Sequence, residues 1–369
     1  MKRLEAGLRD ERGMTLVMVA TGMVAFLSAT MLAVDVGMLM VARTESQSAA
    51  DAGALAGAIA LGFDDMDDKS PTGPAVRNAI AAATAADNDV MHAQASVLPE
   101  DVTFPTARRV RVRVQRSGVR QNPIALFLGP MFGIDTANVG AVAVAEASPA
   151  NAMTCVKPFT VPDKWIENQT GPWDPSDTFD PGDLYIPIGQ PDYTGYNAKT
   201  DEGTLITLKA ANGNNISPSF YFPYSMGNIT GASAYDWNIA NCNTLVMGYN
   251  EVILAEPGGM VGPTSSGLGL LIDRDPSAYW DTYNNRVVST MHPSPRVIAL
   301  PLFDPQHYET GKQNGRNADL KVVNYMGFFI EEMQGNNVLG RVTSIAGILS
   351  ESEGPAPVGA FPVAITLVE

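Results

Sequence analysis

From Met14 to Val34 the chain carries no charged side chain, and only the hydroxyls of Thr15, Thr21, Ser28 and Thr30 interrupt the apolar run. As a helix this run rises about 30 Å, enough to cross the hydrocarbon core of a bilayer. Helix formers then continue without proline through "MLMVARTESQSAADAGALAGAIALG" to about Gly62. Pro74, placed for a first helical turn, opens a second alanine-rich helix in "GPAVRNAIAAATAADNDVM". The period changes to two in "ARRVRVRVQRSGVR", where Val110, Val112 and Val114 face one way and Arg109, Arg111 and Arg113 the other. That alternation predicts a half-buried strand. "NPIALFLGPMFG" reads as a short apolar helix or turn, "TANVGAVAVAEA" as a small-residue strand, and "ASPAN" as a linker. Beyond it, "DLYIPI", "GTLITLKA", "SFYFPYS", "RVIALPLF" and "LKVVNYMGFFIEEM" are strand candidates separated by turn signals. "GPTSSGLGLLIDRD" reads as a helix with Thr264 as N-cap.

The pattern is α+β: a long transmembrane helix running into a small helix/sheet domain, followed by a β-rich C-terminal domain. The expected boundaries are a cytoplasmic N-terminus over 1–13, a transmembrane helix over 14–42, a helical stalk with a small α+β domain over 43–150, and a β-rich extracytoplasmic domain over 151–369.

Charge sets the orientation. Lys2, Arg3, Arg9 and Arg12 precede the span, whereas Arg43 is followed by Glu45 and Asp51. The basic flank is expected to stay in the cytoplasm and the bulk of the chain to lie outside. The rival, a cleaved secretory signal, needs a shorter apolar run with a small-residue exit. A net charge of -15 disfavours nucleic acid as a partner. Six arginines between 108 and 120 would suit anionic lipid or an acidic partner, or form an ordinary solvated face. Three histidines and two cysteines leave little material for a catalytic centre, so no enzyme is expected.

Ala49, Gly53 and Gly57 recur four apart on one ridge, as do Ala52, Ala56 and Ala60. Such a ridge admits a close partner helix, with self-association through the N-terminal helix as one outcome. Packing on the protein's own domain accounts for it equally.

The stretch from Arg12-Gly13 through the span, Ala33 to Gly37 ("AVDVG") and Gln47 to Gly57 resembles the N-terminal segment of TadE/TadG-like proteins of Flp (tight adherence) pilus assembly. The resemblance extends into the C-terminal region as a long TadG-like form, without the D-x-S-x-S start of a von Willebrand factor A metal site. It implies a pilin-like first domain, a bacterial inner-membrane protein with a periplasmic body, and partners among Flp/Tad inner-membrane or periplasmic components. Gly13 followed by Met14 is close to what a prepilin peptidase reads. Pilins usually carry glutamate five residues after the cut, where this chain has Met18. The leading expectation is an uncut structural anchor; the alternative is a minor pilin or tip adhesin cleaved after Gly13.

The remaining chemistry is sparse. In an oxidising compartment Cys155 and Cys242 are expected to pair, against two free thiols. Asp174, Asp177, Asp180 and Asp183 recur every three residues in "WDPSDTFDPGD", where carboxylates could surround Ca²⁺ and make a calcium-dependent binding module; Asx-turns explain them without an ion. His292 and His307, with Asp304 and Glu309, are a weaker metal candidate, since lone histidines beside prolines are more often structural. No cofactor other than calcium is expected. "GGMVGPTSSG" lacks the Lys-Ser/Thr of a phosphate loop, and there is no G-x-S-x-G or H-E-x-x-H.

Overall fold

The computed structural model describes residues 11–64, 68–168, 173–211, 215–227, 231–256, 258–311 and 319–368. Lys2, Arg3 and Arg9 of the basic flank lie outside these residues, as do Asp65, Met66 and Asp67.

The chain divides into two compact units, one running up to Ala147 and taking back the chain from Thr366, the other spanning Ser148–Ile365.

In the first unit, α1 (Glu11–Phe63) is a single helix of 53 residues. It contains no proline, so nothing in its sequence forces a break. The second helix, α2 (Pro74–Ala83), starts with proline in its first turn, where the missing N–H costs nothing. Five strands follow: β1 (Val102–Thr106), β2 (Arg109–Arg116), the two-residue β3 (Ile124–Ala125) and β4 (Thr136–Ala137), and β5 (Val139–Pro149). Val110, Val112 and Val114 of β2 are all buried while Arg111 and Arg113 are exposed, as the period-two pattern demands. β2 pairs antiparallel with β5 from Arg109 opposite Glu146 to Arg116 opposite Val139. The apolar segment between β3 and β4 forms a 3₁₀ turn over Gly129–Phe132.

The second unit is β-rich. Its elements in chain order are β6 (Ala152–Met153), β7 (Phe159–Pro162), α3 (Ala198–Asp201), β8 (Leu205–Ala210), β9 (Phe220–Pro223), α4 (Ala232–Ala240), β10 (Met247–Gly248), β11 (Val252–Ile253) and α5 (Val261–Arg274). Then come β12 (Tyr279–Asp281), β13 (Arg286–Val288), β14 (Val297–Phe303), α6 (Pro305–Gly311), β15 (Leu320–Gln334) and β16 (Asn337–Thr343). The last strand, β17 (Val363–Leu367), starts in this unit and ends in the first, completing the sheet order β1-β2-β5-β17.

The long strand β15 closes a β-barrel. It pairs with β14 along one edge and β16 along the other, so the order β14-β7-β9-β8-β16 returns to β15. β11 adds to its beginning. Closure gives each of these strands a neighbour on both sides, with the seams β14–β7, β7–β9 and β8–β9 held by two residue pairs each. Ile298, Leu300 and Leu302 join Met326, Phe328 and Ile330 in one core cluster, while Ala299, Phe303, Val322 and Tyr325 belong to a second. Strands buried on both faces read as continuous apolar runs, which is why β14 and β15 stand out in the sequence. Gly340 admits the Phe328 ring, since a Cβ there would lie 2.5 Å from it.

Two local expectations need correction. "DLYIPI" forms no strand, only a single bridge between Leu184 and Ile166. Thr264 is not the N-cap of α5, because the helix begins earlier, after Met260. Its hydroxyl instead donates back to the Met260 carbonyl (2.8 Å) and meets the Tyr235 hydroxyl at 2.9 Å.

Candidate functional site

The first half of α1 is uncovered. Every described side chain from Met14 to Val34 is exposed except the half-buried Ser28, with Leu16 and Phe26 each at 73%. Its hydroxyls are turned back onto the helix: Ser28 Oγ donates to the Val24 carbonyl (2.8 Å) and Thr30 Oγ1 to the Phe26 carbonyl (2.9 Å). Apolar side chains outward and polar groups satisfied within the helix suit hydrocarbon. Among the described residues this is the one helix long and apolar enough to cross a membrane. Gly13 lies inside α1, and a Cβ added there would meet nothing within 4 Å.

Asp35 ends the uncharged run and is buried. Its carboxylate accepts from the backbone N–H of Phe127 (2.9 Å) and of Leu128 (3.2 and 3.3 Å), in the loop between β3 and β4. The first acid after Gly13 therefore fastens a distant loop to the helix where the apolar stretch ends.

Beyond Asp35, α1 is covered on one side. Ala42, Ser46, Ala49, Ala50, Ala54 and Ala58 are buried. A Cβ at Gly53 would lie 2.9 Å from Ala83 Cβ and 3.2 Å from Val112 Cγ1. At Gly57 it would lie 2.8 Å from Val110 Cγ1 and 3.1 Å from Ala79 Cβ. The ridge Ala49, Gly53, Gly57 thus holds α2 and β2 of its own unit. The small residues of the ridge have close neighbours within their own unit, as packing on the protein's own domain requires. Glu45 reinforces the packing by accepting from the Met91 N–H (2.7 Å). Arg43 and Arg113 line an open groove of about 520 Å³ alongside Gln47 and the start of β5.

In the second unit Cys155 and Cys242 form a disulfide. It sits beside the C-terminal end of α4, whose Ile239 and Asn241 carbonyls accept from Lys157 Nζ at 2.6 and 3.0 Å, while Arg274 donates to the Ala240 carbonyl. Cations there oppose the negative end of the helix dipole. Burial, with Arg274 adding repulsion, pulls the Lys157 ammonium down to about 8.

Three of the four aspartates in "WDPSDTFDPGD", Asp174, Asp177 and Asp183, use their carboxylates as turn builders. Asp174 accepts from the N–H (2.8 Å) and hydroxyl of Ser176, and Asp177 from the Asp174 N–H (2.7 Å). Asp183 accepts from the Asp180 N–H (2.7 Å) and the Asn168 N–H (3.0 Å). Asp304 accepts from the backbone of His307 (2.9 Å). Among the described residues no group of three or more His, Cys, Asp or Glu side chains is placed to hold a metal ion.

One heavily coordinated buried carboxylate is not singled out by the sequence. Asp163, fully buried after β7, accepts from the hydroxyls of Tyr185 (3.1 Å) and Tyr193 (2.8 Å) and from the N–H of Tyr196 (3.0 Å) and Lys164 (2.9 Å). Burial pushes its carboxyl up to about 6, with these hydrogen bonds pulling the other way. Next to it lies a cleft of about 390 Å³ lined by Lys164, Trp173, Tyr193 and Asp201, with Lys164 paired to Asp201 at 2.5 Å. The arrangement ties the segment 185–196 to the barrel, and no signal in the sequence marks it.

Residues 13–60 match the family described as putative Flp pilus-assembly TadE/G-like. The N-terminal segment is TadE/G-like. The match covers the apolar run, Asp35 and the ridge Ala49, Gly53, Gly57, and it supports a Flp/Tad pilus-associated role. No curated protein and no solved structure matches the chain.

Proposed function

We propose that the protein is a membrane-anchored structural component that supports assembly or anchoring of a Flp/Tad-type pilus, its N-terminus cytoplasmic and its two units periplasmic. The observation that carries this reading is the uncovered apolar half of α1, lying within the TadE/G-like segment and continuous with a helix packed into a folded unit. The barrel unit then offers surface to pilus components, and the disulfide suits an oxidising compartment. The role is structural rather than catalytic.

Retention of the span follows from Met18. Were the chain cut after Gly13, the new amine would have no carboxylate within its first turns, since Asp35 is the first acid after Gly13 and is engaged with the 127–128 amides. A filament core of low dielectric penalises an unpaired amine. Intact-mass measurement of protein taken from membranes, with alkaline carbonate extraction, tests this. A full-length chain that resists extraction is expected. A mature chain beginning at Met14 would instead establish the minor pilin or tip adhesin reading.

A further inference from the structure

The segment between β3 and β4 has no charged residue from Gln121 to Ile134. It turns its large side chains outward: Phe127 is 74% exposed, Met131 69%, Phe132 60% and Ile134 57%. On the adjoining part of α1, Val34, Val36 and Met40 are exposed too. Contiguous apolar surface of this kind marks an interaction site.

Its backbone is arranged in the opposite sense. The Leu126 N–H donates to the Asp135 carbonyl (3.0 Å), Met131 to Leu128 (3.1 Å), Gly133 to Pro130 (3.1 Å) and Ile134 to Gly129 (3.1 Å). Two further amides, those of Phe127 and Leu128, are taken by Asp35. Gly129 lets this loop close tightly, since a Cβ there would lie 2.3 Å from the Ile134 carbonyl oxygen. Apolar groups outward and amides paired inward are what a segment needs to leave water for lipid.

Asp35 also sets the depth. The uncharged run that ends just before it is about 30 Å long as a helix, matching the hydrocarbon core. A loop hydrogen-bonded to Asp35 therefore lies at the boundary between acyl chains and headgroups. We infer that the loop 126–134 is an interfacial collar, seated by Asp35 and inserted into the outer face of the bilayer that α1 crosses. This rests on the membrane-anchored reading. The occupant is lipid, because the exposed patch continues the surface of the span itself. The collar would hold the first unit at a fixed height and rotation against the bilayer, which the helix alone leaves free.

The test uses the full chain in vesicles containing lipids brominated either near the headgroup end of the acyl chain or near the bilayer centre. Phe127→Trp and Phe132→Trp each add a reporter to the loop; the emission of the native tryptophans is subtracted using the unaltered protein. Phe26→Trp reports the span, and Ala107→Trp reports the turn between β1 and β2, just before Val110, which packs at Gly57 of α1 well beyond Asp35. The loop reporters are expected to lose about half of their added emission to bromine near the headgroups and less to bromine at the centre. Phe26→Trp should show the reverse order, and Ala107→Trp no quenching. Quenching of Phe26→Trp without quenching of either loop reporter would overturn the collar and leave the span intact, pointing to a protein partner on the patch. Equal quenching at Ala107 and the loop would also overturn it. No quenching at Phe26 would remove the span and the collar together.

Discussion

Asp35 is a small group with two tasks, since the same carboxylate ends the uncharged run and accepts two amides 92 and 93 residues later. Asp35→Ala would strand both amides, at a cost of about 1–3 kcal/mol in local stability. The Phe127 and Leu128 amides should therefore exchange with deuterium about 10- to 100-fold faster in the variant, while buried β2 amides keep their rate. Unchanged exchange at Phe127 and Leu128 would show that the capping is not needed. Asp163 has the contrary economy, a carboxyl that burial makes reluctant to ionise. Its value of about 6 lies above the 3.8 of the same group in the unfolded chain. Between those values the folded state keeps a proton that the unfolded state gives up. Stability should therefore fall as pH rises from about 4 to about 6, by about 3 kcal/mol from this group, and then level off. Asp163→Asn cannot titrate and should flatten that slope. Chemical denaturation across this range, with both proteins showing parallel profiles, would exclude the assignment.

At the level of elements, the first unit depends on close approach between α1 and its neighbours. Gly53→Leu would push a branched side chain into a site where even the Cβ meets Ala83 and Val112. Overpacking of this kind costs about 1–3 kcal/mol, so α2 and β2 amides should lose protection in hydrogen exchange while the barrel keeps its own. The disulfide secures the other unit, enclosing a sequence separation of 87 residues. The double variant Cys155→Ser, Cys242→Ser should unfold about 2–5 kcal/mol more easily, and a reductant should have no further effect on it. Wild-type stability that is indifferent to reductant would contradict this. The elements differ in how plainly the sequence announces them. β2 carries a consistent period of two, α2 a proline start and an alanine-rich run, and α1, β14 and β15 long apolar runs, and each of these is a local property. The barrel is not local: β7 and β9 are four residues each, and closure depends on which strand edges meet. Asp35 was legible as the end of the span but not as a cap, because its partners lie far along the chain. The ridge was legible as small residues, whereas the partner they admit had to be seen in space.

On the scale of the whole chain, the barrel unit is an insertion into the first unit. The chain leaves the first sheet after β5 and returns at Thr366, where the Val368 N–H donates to the Val144 carbonyl at 2.9 Å and the strand covers the edge of β5. The inserted segment has what an independent fold requires. Its barrel closes on itself, its two core clusters draw on residues of that segment alone, and both cysteines lie inside it. The host unit does not have the same independence, since its fourth strand is supplied only after the insertion. Residues 148–365 expressed alone in an oxidising environment should therefore fold with the disulfide formed and melt cooperatively. A chain ending at Ile365 should keep the barrel but expose the β5 edge, so that amides of β5 exchange faster and the protein becomes prone to pair edge to edge. Hydrogen exchange on both proteins reads each half of this prediction separately. Failure of 148–365 to fold would mean that the barrel needs its host. Undisturbed β5 protection in the shortened chain would mean that the returning strand contributes nothing to the sheet it completes.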